Sequence, residues 1–252
     1  MTGLASVRPL GVISFAVVFA VWEIAGRTHL VNTVLLPPPS AIVPVLWTLV
    51  WSGALFAPLA QTLLLLFAGY SIGCVLGVAF GLAMGWSRRA DNLFEPLFEL
   101  FRPIPIPALL PPLFLFLGFG VTMKTTVVAL GAFFPVLINT IQGVRGVDPV
   151  ALDTARTFRC PTGRMMLKVV LPSALPMVLT GMRVSLGLGL ILVVLAEMLA
   201  GQGGVGYAIL DMQRSFEIAK MYAWIIVLAL IGLGLNAIFQ LVEAKVVPWR
   251  AK

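Results

Sequence analysis

Charged residues, histidine and cysteine are all scarce in this sequence. Asp, Glu, Lys and Arg make up 11% of its 252 residues, and it contains one histidine, His29, and two cysteines, Cys74 and Cys160. Ordinary soluble domains carry about 25% charged residues, so this composition excludes a soluble globular protein. A single histidine excludes a metal site built from several histidines, and the two cysteines provide no disulfide framework.

Hydrophobic residues are abundant instead, at 60% of the chain, and the mean hydropathy is +1.04. This predicts an all-α integral membrane protein. A membrane span needs roughly 20 apolar residues, and six transmembrane helices can be placed near that length. They are residues 9–26, 60–85, 101–118, 122–143, 176–200 and 221–243. No repeat, low-complexity segment or soluble domain accompanies them, which predicts a single membrane domain over residues 1–252.

The N-terminal region leaves one alternative open. Arg8 precedes an apolar run, as in a secretory signal, but Trp22 and Glu23 follow with no small-x-small cleavage site, which favours a retained span. After the prolines at 37–39, the apolar stretch 41–51 is too short to cross. We expect it to be an interfacial helix on the outer surface.

The basic residues predict the orientation. All but four of the 17 Lys and Arg residues lie inside or flank the inside if both termini are cytoplasmic; the four outside are Arg27, Lys124, Arg214 and Lys220. The net charge of +7 therefore reflects membrane flanks rather than a stripe for nucleic acid, and we expect no nucleic-acid binding.

A polar segment at residues 148–172 interrupts the hydrophobic sequence on the predicted cytoplasmic side. Asp148 followed by Pro149 is a helix start, and Cys160 before Pro161 is biased out of helix, which predicts one short helix over about 149–158. A second should begin near Pro161 and end before Leu171. A solvated loop is the alternative, but an amphipathic hairpin too short to span favours a docking element.

The predicted faces of the first helix follow from its spacing. We expect Val150, Ala151, Ala155 and Phe158 near one face, and the polar residues Asp153, Arg156 and Thr157 on other sides.

The spacing in this passage resembles the cytoplasmic signature of permease subunits of binding-protein-dependent ABC importers. That signature is Glu-Ala-Ala, three residues, Gly, nine residues, Ile-x-Leu-Pro. The same spacing here gives Asp153, Thr154 and Ala155, then Arg159, then Val169 to Pro172. The segments LPPPSAI, MGWSRRAD, RPIPIPALLPPLFLFLGFG, GAFFPVLINTIQGVRGVDP and GYAIL resemble the sulfonate, taurine and nitrate branch of that family.

The resemblance implies a type I ABC importer permease fold in a bacterial inner membrane, with a coupling-helix hairpin. It implies a homodimer, two cytoplasmic ATPase subunits that bind ATP and Mg, and a periplasmic or lipid-anchored solute-binding protein. The solute would be a small anion such as nitrate, sulfonate, taurine or bicarbonate; a vitamin precursor or aromatic acid is the alternative. The implied ATPase-coupling residues are Asp153, Thr154, Ala155, Arg156, Arg159, Val169, Leu171 and Pro172.

Other function classes are disfavoured. A secondary transporter usually shows repeated halves and midplane carboxylates, and a membrane enzyme needs a convergent catalytic set; neither is seen. Residues 201–206 fit G-x-G-x-x-G but follow a membrane span, and residues 118–125 have Met123 where a phosphate loop needs glycine. We therefore expect that this chain is not an enzyme and binds no ATP itself.

Five glycines recur at a spacing of four in the second span. Such a stripe lets another backbone approach closely, either within the subunit or, as the alternative, between subunits. They are Gly69, Gly73, Gly77, Gly81 and Gly85.

Two ionisable residues lie at predicted membrane depth, Arg183 and Glu197. Such groups are functional candidates, although Arg183 could snorkel to the inner interface and Glu197 could make a structural hydrogen bond. Prolines break spans three and four, and broken backbone at membrane depth is tolerated where it lines a cavity. The pathway candidates are Phe133, Phe134, Asn139, Arg183, Ser185 and Glu197.

Arg159 replaces the glycine that suits the left-handed turn after a helix. Either the turn is rebuilt around Cys160 and Pro161, or Arg159 contacts an acidic site on the ATPase.

Overall fold

The computed structural model describes residues 9–28 and 30–249, and within them all regular structure is helical. Arg8, His29, Arg250 and Lys252, which entered the sequence argument, lie outside the described residues. The helices are α1 (Pro9–Arg27), α2 (Pro39–Trp51), α3 (Phe56–Trp86), α4 (Arg88–Phe101), α5 (Leu110–Leu117), α6 (Val121–Arg145), α7 (Pro149–Thr157), α8 (Thr162–Met165), α9 (Leu171–Ala200), α10 (Gly204–Arg214) and α11 (Ile218–Val246).

Four stretches in the described part of the chain are long and apolar enough to cross a membrane. They are α3, α6, the run Thr162–Ala200 and α11, and the bent pair of α4 with Ile106–Leu117 would make a fifth. The count of six is therefore not reached by these helices alone, and α1, with 19 residues, stays a predicted span. α2, with 13 residues, is short, as expected for an interfacial helix.

The predicted third span, residues 101–118, is wrong as a continuous helix. α4 ends at Phe101, and the chain bends by 81° before the apolar turn Ile106–Leu109 that leads into α5. Pro103 and Pro105 lie in this break. Each lacks an N–H donor and pushes the preceding residue out of the helical region, so a straight helix cannot pass.

The second hairpin helix was also predicted wrongly, because it does not end before Leu171. A π-helical turn over Met166–Val170 joins α8 directly to α9, which makes one run of 39 residues, Thr162–Ala200. Pro172 follows this turn directly, and a π-helical turn is one of the ways in which a helix accommodates a proline that cannot donate its N–H. The hairpin and the predicted fifth span are therefore a single helical body.

The glycine stripe of α3 packs against α6 of the same chain. A Cβ atom added at Gly73 would lie 2.5 Å from the Ala129 carbonyl oxygen, and one at Gly77 would lie 2.9 Å from that of Phe133. Gly69, Gly81 and Gly85 meet α6 in the same way. The stripe therefore makes its close contact within the subunit, where only a hydrogen atom fits between the backbones of α3 and α6.

The helical bundle has two ends that matter for function. At the hairpin end, α3 and α6 finish, α9 begins and α7 packs nearby through Leu152, which contacts a buried cluster that includes Val147 and Val170. At the distal end lie the loops 118–120 and 201–203, which precede α6 and α10.

Candidate functional site

The first candidate site is the hairpin of α7 and α8. α7 begins as predicted: the Asp148 carboxylate accepts a hydrogen bond of 2.9 Å from the Val150 N–H, and Pro149 takes the first helical position. Asp153 and Arg156 are exposed and pair with each other at 2.9 Å. Both side chains thus remain available to a partner.

The predicted apolar face of α7 needs correction. Val150 and Phe158 are 69% and 81% exposed, whereas Ala151, Leu152 and Ala155 are half-buried toward the bundle. The prediction erred because it placed Val150 and Phe158 on the face of the two alanines and left out Leu152, which is the residue that reaches the core cluster. The hairpin therefore exposes both apolar and charged side chains to water, a mixture that is typical of protein interfaces.

Arg159 keeps the backbone of the glycine it replaces. Its φ is +50°, its N–H donates to the Arg156 carbonyl at 2.8 Å, and the Cys160 N–H donates to the Ala155 carbonyl at 3.0 Å. These two bonds form a Schellman cap, which normally has glycine at this position. A rebuilt turn is thus excluded, and a non-glycine residue here costs on the order of 1 kcal/mol. The Arg159 side chain is exposed and makes no ion pair with the described residues.

The remaining coupling candidates lie on α7 and at the start of α9. Thr154 is exposed and its hydroxyl donates to the Val150 carbonyl at 2.7 Å. Val169, Leu171 and Pro172 are half-buried where the π-helical turn passes into α9. No role of these residues is decided by their placement.

The six pathway candidates are not brought together. Phe133 and Phe134 belong to an aromatic cluster that joins α6 to α4, with Phe98 at 5.3 Å from Phe133 between ring centroids. Phe134 also lines a cavity of about 210 Å³ at the hairpin end. Asn139 donates to the Pro135 carbonyl at 2.8 Å and faces Gly181 of α9.

Ser185 is fully buried, and its hydroxyl donates to the Met182 carbonyl at 2.9 Å. Tyr70 of α3 donates to the same carbonyl at 3.0 Å. Ser185 therefore lies in the contact between α9 and α3, apart from the aromatic cluster.

Arg183 has a partner that the sequence argument missed. Its guanidinium pairs with Glu243 of α11 at 2.6 Å and lies 5.9 Å from the centre of the Phe239 ring. Glu243 sits 60 residues away in sequence and close to the end of the last span. It therefore looked like an ordinary flanking residue, and no local pattern indicated its partner.

Glu197 is fully buried at the distal end and holds three helices together. Its carboxylate accepts hydrogen bonds from the Thr62 hydroxyl at 2.8 Å and from the Gly206 N–H at 2.9 Å. Thr62, on α3, in turn accepts a bond of 2.9 Å from the Val205 N–H. A Cβ atom at Gly204 would overlap the Glu197 carboxylate. Gly204 and Gly206 thus make room for this buried contact.

Lys124 was predicted to lie on the outer side, and in the structure it lies at the distal end, buried rather than exposed to water. It is only 5% exposed, and its ammonium donates to the Gln202 carbonyl at 2.6 Å. We call Thr62, Lys124, Glu197 and the loop 201–206 the distal polar cluster. Local sequence patterns do not predict this cluster, because Thr62 and Glu197 are 135 residues apart.

The comparisons with known proteins follow this geometry. Residues 73–248 match the family described as the binding-protein-dependent transport system inner membrane component. The chain is 36% identical to an aliphatic sulfonates transport permease protein, SsuC, of Bacillus subtilis, over 95% of this chain and 87% of that one. It is 32% identical to the formylaminopyrimidine transport permease protein ThiX of Halalkalibacterium halodurans, over 94% of each chain.

A solved structure agrees on the fold. The inward-facing MetNI methionine ABC transporter matches with a TM-score of 0.64 at 19% identity, over 83% of this chain and 99% of that one. At that identity the likeness concerns the fold alone, which is the expected permease fold. Together with the family match over most of its length, it leads to one conclusion: the chain belongs to the inner-membrane components of binding-protein-dependent transport systems, multi-pass transport subunits of the ABC permease type.

Proposed function

We propose that this chain forms the translocation pathway of an ATP-driven importer for a small anionic solute, as one half of a homodimer. Two cytoplasmic ATPase subunits, which bind ATP and Mg, dock on residues 148–172, and a solute-binding protein delivers the solute at the distal end. Both termini are then cytoplasmic. The observation that supports this most strongly is the exposed hairpin with its strained cap at Arg159.

Coupling would be mechanical. α7 packs on the bundle near the π-helical turn, and α8 runs into α9 without interruption. From Leu171 to Glu197 the helix extends about 39 Å at 1.5 Å per residue. A partner that moves the hairpin would therefore move the far end of α9, where the Glu197 carboxylate accepts hydrogen bonds from α3 and α10. Such transmission along a rigid element is a usual way to switch access between two sides.

The solute class rests on relatives rather than on a built pocket. A permease named for aliphatic sulfonates favours an anion. A permease named for formylaminopyrimidine keeps a vitamin precursor as the second candidate. Titration of the partner binding protein with alkanesulfonates, taurine and formylaminopyrimidine separates the two; binding of the pyrimidine alone would overturn the anionic assignment.

Docking is tested by exchanging the charges of the exposed pair on α7. The double variant Asp153→Lys, Arg156→Glu keeps a pair three residues apart, so the helix should fold, but it reverses the pattern that a partner meets. We expect weaker co-purification of the ATPase and slower transport. Glu217→Lys, Lys220→Glu, which exchanges the charges of another exposed pair three residues apart, beyond α10, is the matched control for ATPase attachment. Unchanged co-purification and transport in the α7 variant would refute docking at this hairpin.

A further inference from the structure

The distal end carries a second strained helix cap, at Phe216. Its φ is +57°, its N–H donates to the Gln213 carbonyl at 3.2 Å, and the Glu217 N–H donates to the Met212 carbonyl at 2.9 Å. This is the same Schellman cap that ends α7. Among the described residues other than glycine, only Arg159 and Phe216 have positive φ. Glycine is the usual residue at this position, since it alone adopts the left-handed conformation without steric strain.

The fold itself gives no reason for phenylalanine here. The side chain is 79% exposed, and its ring takes part in no aromatic contact with the described residues. A glycine would relieve the backbone and would lose little packing. Residues held in strained conformations persist where function requires the side chain, and an exposed bulky ring in a left-handed cap is such a case.

The surroundings of Phe216 have the anatomy of a protein interface. Arg214 precedes it, and the exposed ion pair of Glu217 and Lys220 follows it, so a charged rim surrounds an apolar centre. Lys220 also lines an open recess of about 570 Å³ between α2, α10 and α11, together with Tyr207, Met212 and Trp224. The exposed ring offers a partner a side chain to bind, and the recess offers it a pocket to fill.

A membrane lipid is a poorer occupant for this ring. Insertion into lipid needs no fixed direction, and an aromatic residue at a neighbouring unstrained position would reach the interface without the left-handed backbone. A protein pocket, in contrast, requires one defined direction.

We propose that Phe216 is the anchor by which the distal end docks a soluble protein, one that offers an apolar pocket for the ring and charges that match the rim. This rests on the proposed function, in which the solute-binding protein is the partner that meets the end opposite the hairpin. The ring would supply much of the affinity, because buried aromatic side chains dominate interfaces of this kind.

The test uses the permease with its ATPase in nanodiscs and a titration with its solute-binding protein. ATP hydrolysis is measured as a function of the binding-protein concentration. In Phe216→Gly and Phe216→Asn, two residues that tolerate the left-handed cap, we expect the half-maximal concentration to rise about 10-fold to 100-fold. Hydrolysis without binding protein should stay at the wild-type rate, and the thermal stability of the complex should stay equal or rise. Phe116→Ala, which removes an 85% exposed ring from α5, is the control and should leave the titration unchanged.

Four results would overturn the proposal. A wild-type titration curve in both variants would show that the ring has no partner. Loss of thermal stability in Phe216→Gly would show that the ring packs on its own chain or on the second copy in the homodimer. A defect that varies with nanodisc lipid but not with binding protein would assign the ring to the membrane. A wild-type complex that the binding protein does not stimulate would refute the importer itself, and is recognised because it precedes any substitution.

Discussion

The hairpin end leaves its charged side chains in water, whereas the distal end encloses two of them. Asp153 and Arg156 form an exposed pair on α7, while Glu197 is fully buried and Lys124 is 5% exposed. Exposed ion pairs contribute little to folding, so the hairpin charges are free to serve a partner. A buried carboxylate is tolerated only when hydrogen bonds replace its water, and Glu197 has donors from two other helices.

The two ends also share one type of helix cap. Each has a helix that finishes in a left-handed cap with a non-glycine residue, Arg159 on one side and Phe216 on the other. The side chains differ in kind, since a cation suits an acidic partner and a ring suits an apolar pocket. This difference suggests that each end is adapted to a separate partner, and the following substitutions test it.

The largest effect should come from Glu197→Ala. It leaves the Gly206 N–H without its acceptor, the Thr62 hydroxyl with only the Pro58 carbonyl, and Lys124 without a nearby buried anion. Breaking a buried charged contact of this kind costs about 3–5 kcal/mol. We expect little folded permease, measured as the yield of monodisperse protein and its melting temperature in detergent. Glu197→Gln, which keeps an acceptor, should be milder. A wild-type melting temperature in Glu197→Ala would show that the buried carboxylate does not stabilise the distal end, so that the two ends do not differ in this respect.

A smaller loss of stability should follow Gly77→Leu, in the contact between α3 and α6. Its Cβ would lie 2.9 Å from both the Phe133 carbonyl oxygen and the Val136 side chain. Overpacking costs about 1–3 kcal/mol, and α3 and α6 would have to separate. Gly187→Leu on α9 is the control, because no atom lies within 4 Å of its added Cβ. Equal melting temperatures for the two variants would mean that the stripe does not hold α3 to α6.

The smallest effect on stability, but a clear one on coupling, is expected for Arg159→Gly. Relief of the left-handed strain should stabilise the permease by about 1 kcal/mol. Transport-coupled ATP hydrolysis should fall, and less so at high salt, where the lost ionic contact is already screened. Arg159→Ala should lose the same coupling without the gain in stability. Wild-type hydrolysis and transport in both variants at all salt concentrations would make Arg159 only a tolerated turn residue.

Local patterns in the sequence were sufficient for the helical class, the start of α7 and the glycine stripe. Asp148 and Pro149 specify a helix start through bonds that reach two residues along the chain, so no distant partner is needed. The hydropathy of the spans follows from the bilayer thickness and can be counted. The glycine spacing likewise predicted a close backbone contact, although not which helix would supply it.

Only the tertiary structure decided the features that depend on distant partners. It buries Lys124 beneath the Gln202 carbonyl, pairs Arg183 with Glu243, and carries α8 through a π-helical turn into α9 although Pro172 suggested a stop. The Glu197 carboxylate is satisfied by groups on α3 and α10, and its local sequence gives no sign of either. The physical reason is the same in each case: a polar group placed inside an apolar bundle must find a partner, and which one it finds depends on how the helices pack.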